Sequence, residues 1–85
     1  MIHTCNVLTD LNELIGIRRS EGRQSLFYYG PLALAMKAGD ELILENSGAL
    51  SEFMLKKISL VLVGLFISDT NEVIHPGNGF RLTLR

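Results

Sequence analysis

Disulfides, an excess of charge and long apolar runs are all missing from this 85-residue sequence. The single cysteine, Cys5, cannot form a disulfide within the chain, and a small buried thiol in a reducing compartment is its expected state. Lys plus Arg is 8 and Asp plus Glu is 9, so no field attracts nucleic acid or an anionic membrane. The longest apolar stretch, residues 58–67, is interrupted by Ser59 and Gly64 and is too short to span a bilayer. We therefore expect a soluble, cytoplasmic protein without a membrane or nucleic-acid partner.

Recognisable catalytic and metal-binding constellations are also missing. The sequence offers no Ser-His-Asp or Cys-His arrangement and no paired carboxylates in a plausible pocket. His75 precedes Pro76 without a second His or Cys at metal-ligand spacing, which favours a surface or hairpin-edge histidine over a ligand. The sequence thus predicts no catalytic residue and no metal site.

A hydrophobic fraction of 47% is typical of a folded chain, and the length predicts a single domain over residues 1–85. A domain this small buries roughly 60–65% of its unfolded surface. Its stability should therefore be marginal, and a partner would raise it.

Local signals mark where helices begin and end. Asp10 and Glu13 have capping-box spacing, Pro31 suits a first helical position and Ser51 is a good N-cap. Gly39 supplies a left-handed helix stop. The predicted order is a strand at 2–7, a short helix at 11–15, a hairpin at 17–29, a helix at 31–38, a strand at 40–44, a helix at 52–63, a hairpin at 65–76 and a strand at 80–85.

The stretch at 39–46, Gly-Asp-Glu-Leu-Ile-Leu-Glu-Asn, is predicted to be the central strand. Its apolar residues are consecutive, which is typical of a parallel strand buried on both faces. Glu45 and Asn46 would then lie at the carboxyl end of the strand, where α/β proteins place their ligand sites.

Two further patterns concern the surface. Arg18, Arg19 and Arg23 cluster near the tip of the first hairpin, whose turn is predicted at 20–22. A solvated turn is the favoured interpretation, and a contact surface for an acidic partner is the sharper one. The last strand alternates Phe80, Leu82 and Leu84 with charged or polar residues, which indicates an edge strand buried on one face.

The predicted fold class is α/β: a small three-layer-like domain with a short, mainly parallel sheet of about three core strands flanked by helices, plus two β-hairpins. The alternative is a rearranged α+β domain.

Three runs in this order resemble the MoxR-type AAA+ ATPases, which include NorQ/CbbQ-like and cobalt-chelatase-like proteins. They are T-D-L-N-E-L-I-G at 9–16, Y-Y-G-P-L-A-L-A-M-K-A-G at 28–39 and D-E-L-I-L-E-N at 40–46. The run at 68–82 is similar to the segment that precedes the sensor-1 strand of that family. The resemblance implies that the three main strands correspond to the second, third and fourth core strands of the family. They would lie side by side with the 40–44 strand in the middle, and the two hairpins would correspond to family insertions.

The chain departs from the family where the chemistry takes place. The family strand ends in Asp-Glu, with the Asp holding the magnesium shell and the Glu polarising water. Glu45 and Asn46 occupy those positions here. The phosphate loop ending in Lys-Ser/Thr is also missing from the 85 residues, and Gly77-Asn78-Gly79 has no lysine after it.

The resemblance implies a catalytically silent, truncated or degenerate AAA+-like module that needs no cofactor. The first alternative is an interaction module that docks on an AAA+ ring ATPase or an associated protein such as a von Willebrand A-type partner. The second is part of a split ATPase, in which ATP and Mg²⁺ would bind only if a partner chain supplied the phosphate loop.

Overall fold

The computed structural model describes all 85 residues, Met1–Arg85. It confirms the α/β class, with a three-stranded parallel sheet, two antiparallel hairpins and three α-helices. In chain order the elements are β1 (Ile2–Thr4), α1 (Leu11–Ile15), β2 (Gly16–Glu21), β3 (Gln24–Tyr29), α2 (Pro31–Ala38), β4 (Glu41–Glu45), a 3₁₀ helix (Ser47–Ala49), α3 (Glu52–Val61), β5 (Leu65–Ile67), β6 (Glu72–Ile74) and β7 (Arg81–Leu84).

The parallel sheet has the strand order β1-β4-β7. Strand β4 pairs with β1 through Ile2↔Ile43 and with β7 through Leu42↔Leu82. This arrangement confirms that the apolar run at 42–44 forms the central strand and that the last strand lies at an edge. A three-strand order of this kind occurs in many α/β proteins, so it does not identify a family by itself.

One face of the sheet carries the core. Leu42 and Leu44 are fully buried, whereas Ile43 between them is only partly buried and Ile2 beside it is 59% exposed. The chain advances across the sheet in one direction, so two right-handed crossovers place their helices on the same face. The expectation that both faces of β4 are buried is therefore wrong, because only the face that carries Leu42 and Leu44 is fully buried.

The helices and both hairpins contribute to one hydrophobic core around β4. A fully buried side chain of this kind contributes roughly 1.5–3 kcal/mol relative to exposure. The largest fully buried side chains are Leu14, Leu32, Met36, Leu42, Leu44, Leu65 and Cys5. The core thus fixes the position of β4 from the helical side.

The predicted helix ends are confirmed by their hydrogen bonds. Asp10 accepts from the Glu13 N–H at 2.9 Å, and Ser51 accepts from the N–H three residues later at 3.1 Å. Gly39 ends α2 in the left-handed conformation, with φ 71°. A Cβ at Gly39 would also lie 2.5 Å from the Asn78 carbonyl oxygen, so the 77–79 loop requires glycine there.

Three local predictions are wrong. Strand β1 ends at Thr4, three residues before the predicted end at residue 7. The first hairpin turns at residues 22–23, with φ 63° at Gly22, and Glu21 belongs to the strand, where it pairs with Gln24. Helix α3 ends at Val61, two residues before the predicted end at residue 63, and Phe53 on this helix is 69% exposed. None of the three helices combines the length and the apolar character needed to cross a bilayer.

Candidate functional site

The carboxyl end of β4 is closed on one side by Asn46. This residue adopts the left-handed conformation (φ 58°, ψ 38°), which asparagine tolerates better than most residues. Its side-chain Nδ2 donates to the Cys5 carbonyl at 3.0 Å, and the Cys5 N–H donates to the Glu45 carbonyl at 2.8 Å. The amide of Asn46 therefore joins the end of β4 to the residue that follows β1.

Ser47 closes the other side. Its N–H and its hydroxyl both donate to the Arg85 carbonyl, at 2.8 and 2.9 Å. The Arg85 N–H in turn donates to the Leu44 carbonyl at 2.9 Å. The two residues after β4 thus connect the carboxyl ends of all three strands.

Glu45 makes its contact in a different direction from Asn46. Its carboxylate lies 3.8 Å from the Arg85 guanidinium, and its side chain is 41% exposed. The structure therefore brings Glu45 towards the end of β7 and Asn46 towards the end of β1. The strand end therefore presents one exposed carboxylate, from Glu45, while the side-chain amide of Asn46 is bound to a backbone carbonyl.

Cys5 lies beside this strand end without the features of a nucleophile. It is 1% exposed, and burial raises the pKa of its thiol, with the Glu13 carboxylate adding to the rise. A raised pKa keeps the sulfur protonated at neutral pH. No group of three or more His, Cys, Asp or Glu side chains is arranged to hold a metal ion.

The three arginines of the first hairpin do not form one patch. Arg18 binds Asp69 through Nε at 2.9 Å and binds the Asp69 carbonyl through Nη2 at 2.8 Å. Arg19 lies on the opposite hairpin face, 5.7 Å above the Tyr28 ring, and Arg23 sits in the exposed turn. Arg18 therefore connects the two hairpins, whereas Arg19 and Arg23 face solvent.

A second polar cluster, which no local sequence pattern predicted, joins α2 to both hairpins. The Tyr29 hydroxyl donates to the Glu72 carboxylate, and Lys37 Nζ lies 3.3 Å from the same carboxylate and 4.3 Å from the centre of the Tyr29 ring. The bond from Tyr29 lowers the pKa of Glu72, and Lys37 lowers it further. The proximity of Tyr29 raises the pKa of Lys37, and the Glu72 carboxylate adds to the rise. This cluster fixes the hairpins relative to α2.

The cavities of the molecule lie away from the end of β4. One, of about 440 Å³, lies between the hairpins and is lined by residues that include Phe27, Phe66 and Asp69. The other, of about 630 Å³, lies beside α1 and β3 and is lined by residues that include Glu13 and Tyr28. Neither is lined by Glu45 or Asn46. No protein-family model and no curated protein matches this sequence, so the geometry of the strand end and the exposed surfaces carry the functional interpretation.

Proposed function

We propose that this chain is a catalytically silent, degenerate AAA+-like module in which the end of β4 has a structural role. The observation that carries the proposal is the hydrogen bond from Asn46 to the Cys5 carbonyl. This bond occupies the side-chain amide of Asn46. In the AAA+ family that the sequence resembles, the corresponding position is the glutamate that polarises water.

The chemistry of the two residues supports the same conclusion. Asn46 has no carboxylate with which to accept a proton from water, and the Glu45 carboxylate lies 3.8 Å from the Arg85 guanidinium. The 85 residues also contain no Gly-rich sequence ending in Lys-Ser or Lys-Thr, which is the element that surrounds nucleotide phosphates with backbone N–H groups. The module would act in the cytoplasm without a bound nucleotide, and ATP with Mg²⁺ would enter only through a partner chain that carried a phosphate loop.

Isothermal titration calorimetry of the purified chain with Mg·ATP tests this proposal. We expect no saturable heat at ATP concentrations up to the millimolar range. Mg·ADP and Mg²⁺ alone serve as matched titrations. The Asn46→Gly variant, which lacks the side-chain amide, shows whether the hydrogen bond to the Cys5 carbonyl affects nucleotide binding. Saturable binding of one ATP per chain would refute the proposal.

A second function, protein binding, is favoured by the outer surface of α3. Phe53 and Leu60 lie seven residues apart on α3 and are 69% and 73% exposed, and Val63, in the turn just after the helix, is 81% exposed. Lys57 lies among them, with Nζ 4.5 Å from the centre of the Phe53 ring. An exposed apolar stripe of this kind marks an interaction surface. We propose that it contacts an AAA+ ring ATPase or a protein associated with one.

Cross-linking in extracts of the native cell tests this second function. The chain should enrich an AAA+ ATPase or its associated protein, and Phe53→Gln with Leu60→Gln should remove most of that enrichment. Leu34→Gln is the matched control, because Leu34 is an exposed leucine on a different helix. Enrichment that is unrelated to AAA+ proteins, or that survives the α3 substitutions, would count against this function.

A further inference from the structure

The outer edge of β7 has unused backbone hydrogen-bonding groups. The Arg81 and Arg85 N–H groups point inward and donate to the Asp40 and Leu44 carbonyls, at 3.3 and 2.9 Å. Because successive residues of a strand face opposite edges, the N–H and C=O groups of Leu82 and Leu84 point outward. Strand β7 pairs only with β4, so these outward groups have no strand partner.

The side chains of β7 give this edge a definite chemistry. Arg81 and Arg85 project to the open face of the sheet, and Leu82 and Leu84 project to the core face. Leu84 is 49% exposed. Arg81 forms no ion pair, and Arg85 forms only the 3.8 Å contact with Glu45. The edge therefore combines an arginine without an ion pair, Arg81, and a weakly paired arginine, Arg85, with incompletely covered leucines.

Strand β4 shows which sequence complements β7. In the observed register Glu41 lies beside Arg81, Leu42 beside Leu82 and Leu44 beside Leu84. A strand on the other side of β7 would meet the same side chains on the same faces, since side-chain direction alternates along the strand. Carboxylates next to the arginines and apolar groups next to the leucines would stabilise it through cross-strand pairs.

A second copy of this chain is a poor occupant of the edge. In the fully overlapped two-fold pairing of two β7 strands, which is centred on Thr83, Arg81 of one copy would lie opposite Arg85 of the other. Like charges directly opposite each other destabilise a strand pair. The arginines thus oppose self-pairing and favour an acidic strand.

We propose that the outer edge of β7 binds an extended segment of a partner protein in which acidic and apolar residues alternate. The segment would add a fourth strand to the sheet, with main-chain hydrogen bonds to Leu82 and Leu84 supplying affinity and the arginines supplying specificity. This inference does not depend on the AAA+ resemblance or on the absence of ATP binding.

A synthetic peptide with the β4 sequence, residues 40–46, is the probe, labelled with a fluorophore for anisotropy titration. A second peptide carries Lys in place of both Glu41 and Glu45. The acidic peptide should bind at least about tenfold more tightly than the lysine peptide, because two favourable charge pairs become two repulsive ones. Equal affinities, or no binding of the acidic peptide at millimolar concentration, would overturn the proposal.

Variants of the chain locate the binding site. Leu84→Pro removes an outward N–H without removing a bond to β4, and the loss of one hydrogen bond should weaken binding of the acidic peptide about two- to tenfold. Arg81→Gln should weaken it about two- to fivefold, and Arg23→Gln, at the tip of the first hairpin, should not change it. Unchanged affinity in a folded Leu84→Pro chain would overturn the proposal.

Amide hydrogen exchange gives a second measurement that needs no substitution. In the free chain the Leu82 and Leu84 amides should exchange faster than those of Arg81 and Thr83. Addition of the acidic peptide should slow Leu82 and Leu84 selectively. Slowing confined to α3 or to the hairpins would place the peptide elsewhere and would contradict the proposal.

Discussion

Replacement of Asn46 separates the two features that close the end of β4, a left-handed backbone and a side-chain hydrogen bond. Asn46→Gly removes the bond to the Cys5 carbonyl and leaves the φ of 58° unstrained. Asn46→Ala removes the bond and also places a Cβ in the left-handed region. Asn46→Asp keeps the backbone tolerance but exchanges the amide donor for a carboxylate facing a carbonyl oxygen.

The structure sets the expected magnitudes. Loss of one hydrogen bond lowers the free energy of unfolding by about 0.5–1.5 kcal/mol, which is the cost expected for Asn46→Gly. A left-handed non-glycine backbone adds about 1–2 kcal/mol, so Asn46→Ala should cost roughly 1.5–3.5 kcal/mol. Asn46→Asp leaves the Cys5 carbonyl without a donor and brings a charge towards it, which should cost about 1–3 kcal/mol at neutral pH.

Urea unfolding followed by circular dichroism measures these differences as shifts of the midpoint at a constant m value. The expected order of stability is wild type, then Asn46→Gly, then Asn46→Ala. Acidification should recover part of the loss in Asn46→Asp, because the protonated carboxyl can donate to the carbonyl oxygen. Equal stability of wild type and Asn46→Ala would refute the structural role of Asn46.

Three further substitutions test the elements that hold β4 in place. Ser51→Ala should lower the free energy of unfolding by about 0.5–2 kcal/mol through loss of the α3 N-cap, whereas the exposed Ser59→Ala should change it by less than about 0.5 kcal/mol. Gly39→Ala should cost more than about 2 kcal/mol, because φ is 71° and the Cβ would lie 2.5 Å from a carbonyl oxygen. The pKa of Glu72 is lowered in the folded state from 4.5. The contribution of its carboxylate to the free energy of unfolding is therefore fully present above that pH and is lost as the pH falls through the folded value. Glu72→Gln should reduce the loss of stability in acid.

Urea titrations can contradict each of these three predictions. Equal losses for Ser51→Ala and Ser59→Ala would show that the cap bond contributes nothing. A Gly39→Ala chain as stable as wild type would mean that the 77–79 loop can move away. An identical stability profile between pH 7 and pH 3 for wild type and Glu72→Gln would contradict the role of the carboxylate.

The elements that sequence predicts well here are those set by local chemistry. Ser51 and Asp10 begin helices because their side chains accept N–H groups only three residues away. Pro31 and Gly39 delimit α2 through their own backbone preferences. These signals need no knowledge of distant parts of the chain, and the structure confirms them.

The wrong predictions for α3 and β4 concern features that depend on tertiary packing. Helix α3 has apolar residues on both sides, so helical periodicity alone could not decide that Met54 and Ile58 face the core and Phe53 faces outward. The partial exposure of Ile43 could not be predicted for the same reason, because a run of apolar residues does not reveal that helices cover only one face of the sheet. The first hairpin differs, because the shift of its turn from the predicted 20–22 to 22–23 has a local cause, the left-handed φ of Gly22.

The candidate site was predicted in position but not in contacts. The carboxyl end of β4 could be inferred from the position of Glu45 and Asn46 after the apolar run. The partner of Asn46 is Cys5, 41 residues earlier, and the partner of Ser47 is Arg85, 38 residues later. Bonds over such separations follow from the strand order and cannot be derived from local sequence.

We propose that the end of β4 is closed by its own side chains and does not receive a nucleotide. The decisive experiment is a titration of ¹⁵N-labelled chain with Mg·ATP, followed through the backbone amides of Glu45, Asn46 and Ser47 and the side-chain amide of Asn46. We expect that these resonances do not shift with ATP, and that the Asn46 side-chain amide keeps the signature of a hydrogen bond. Saturable shifts centred on Glu45 and Asn46 would contradict it.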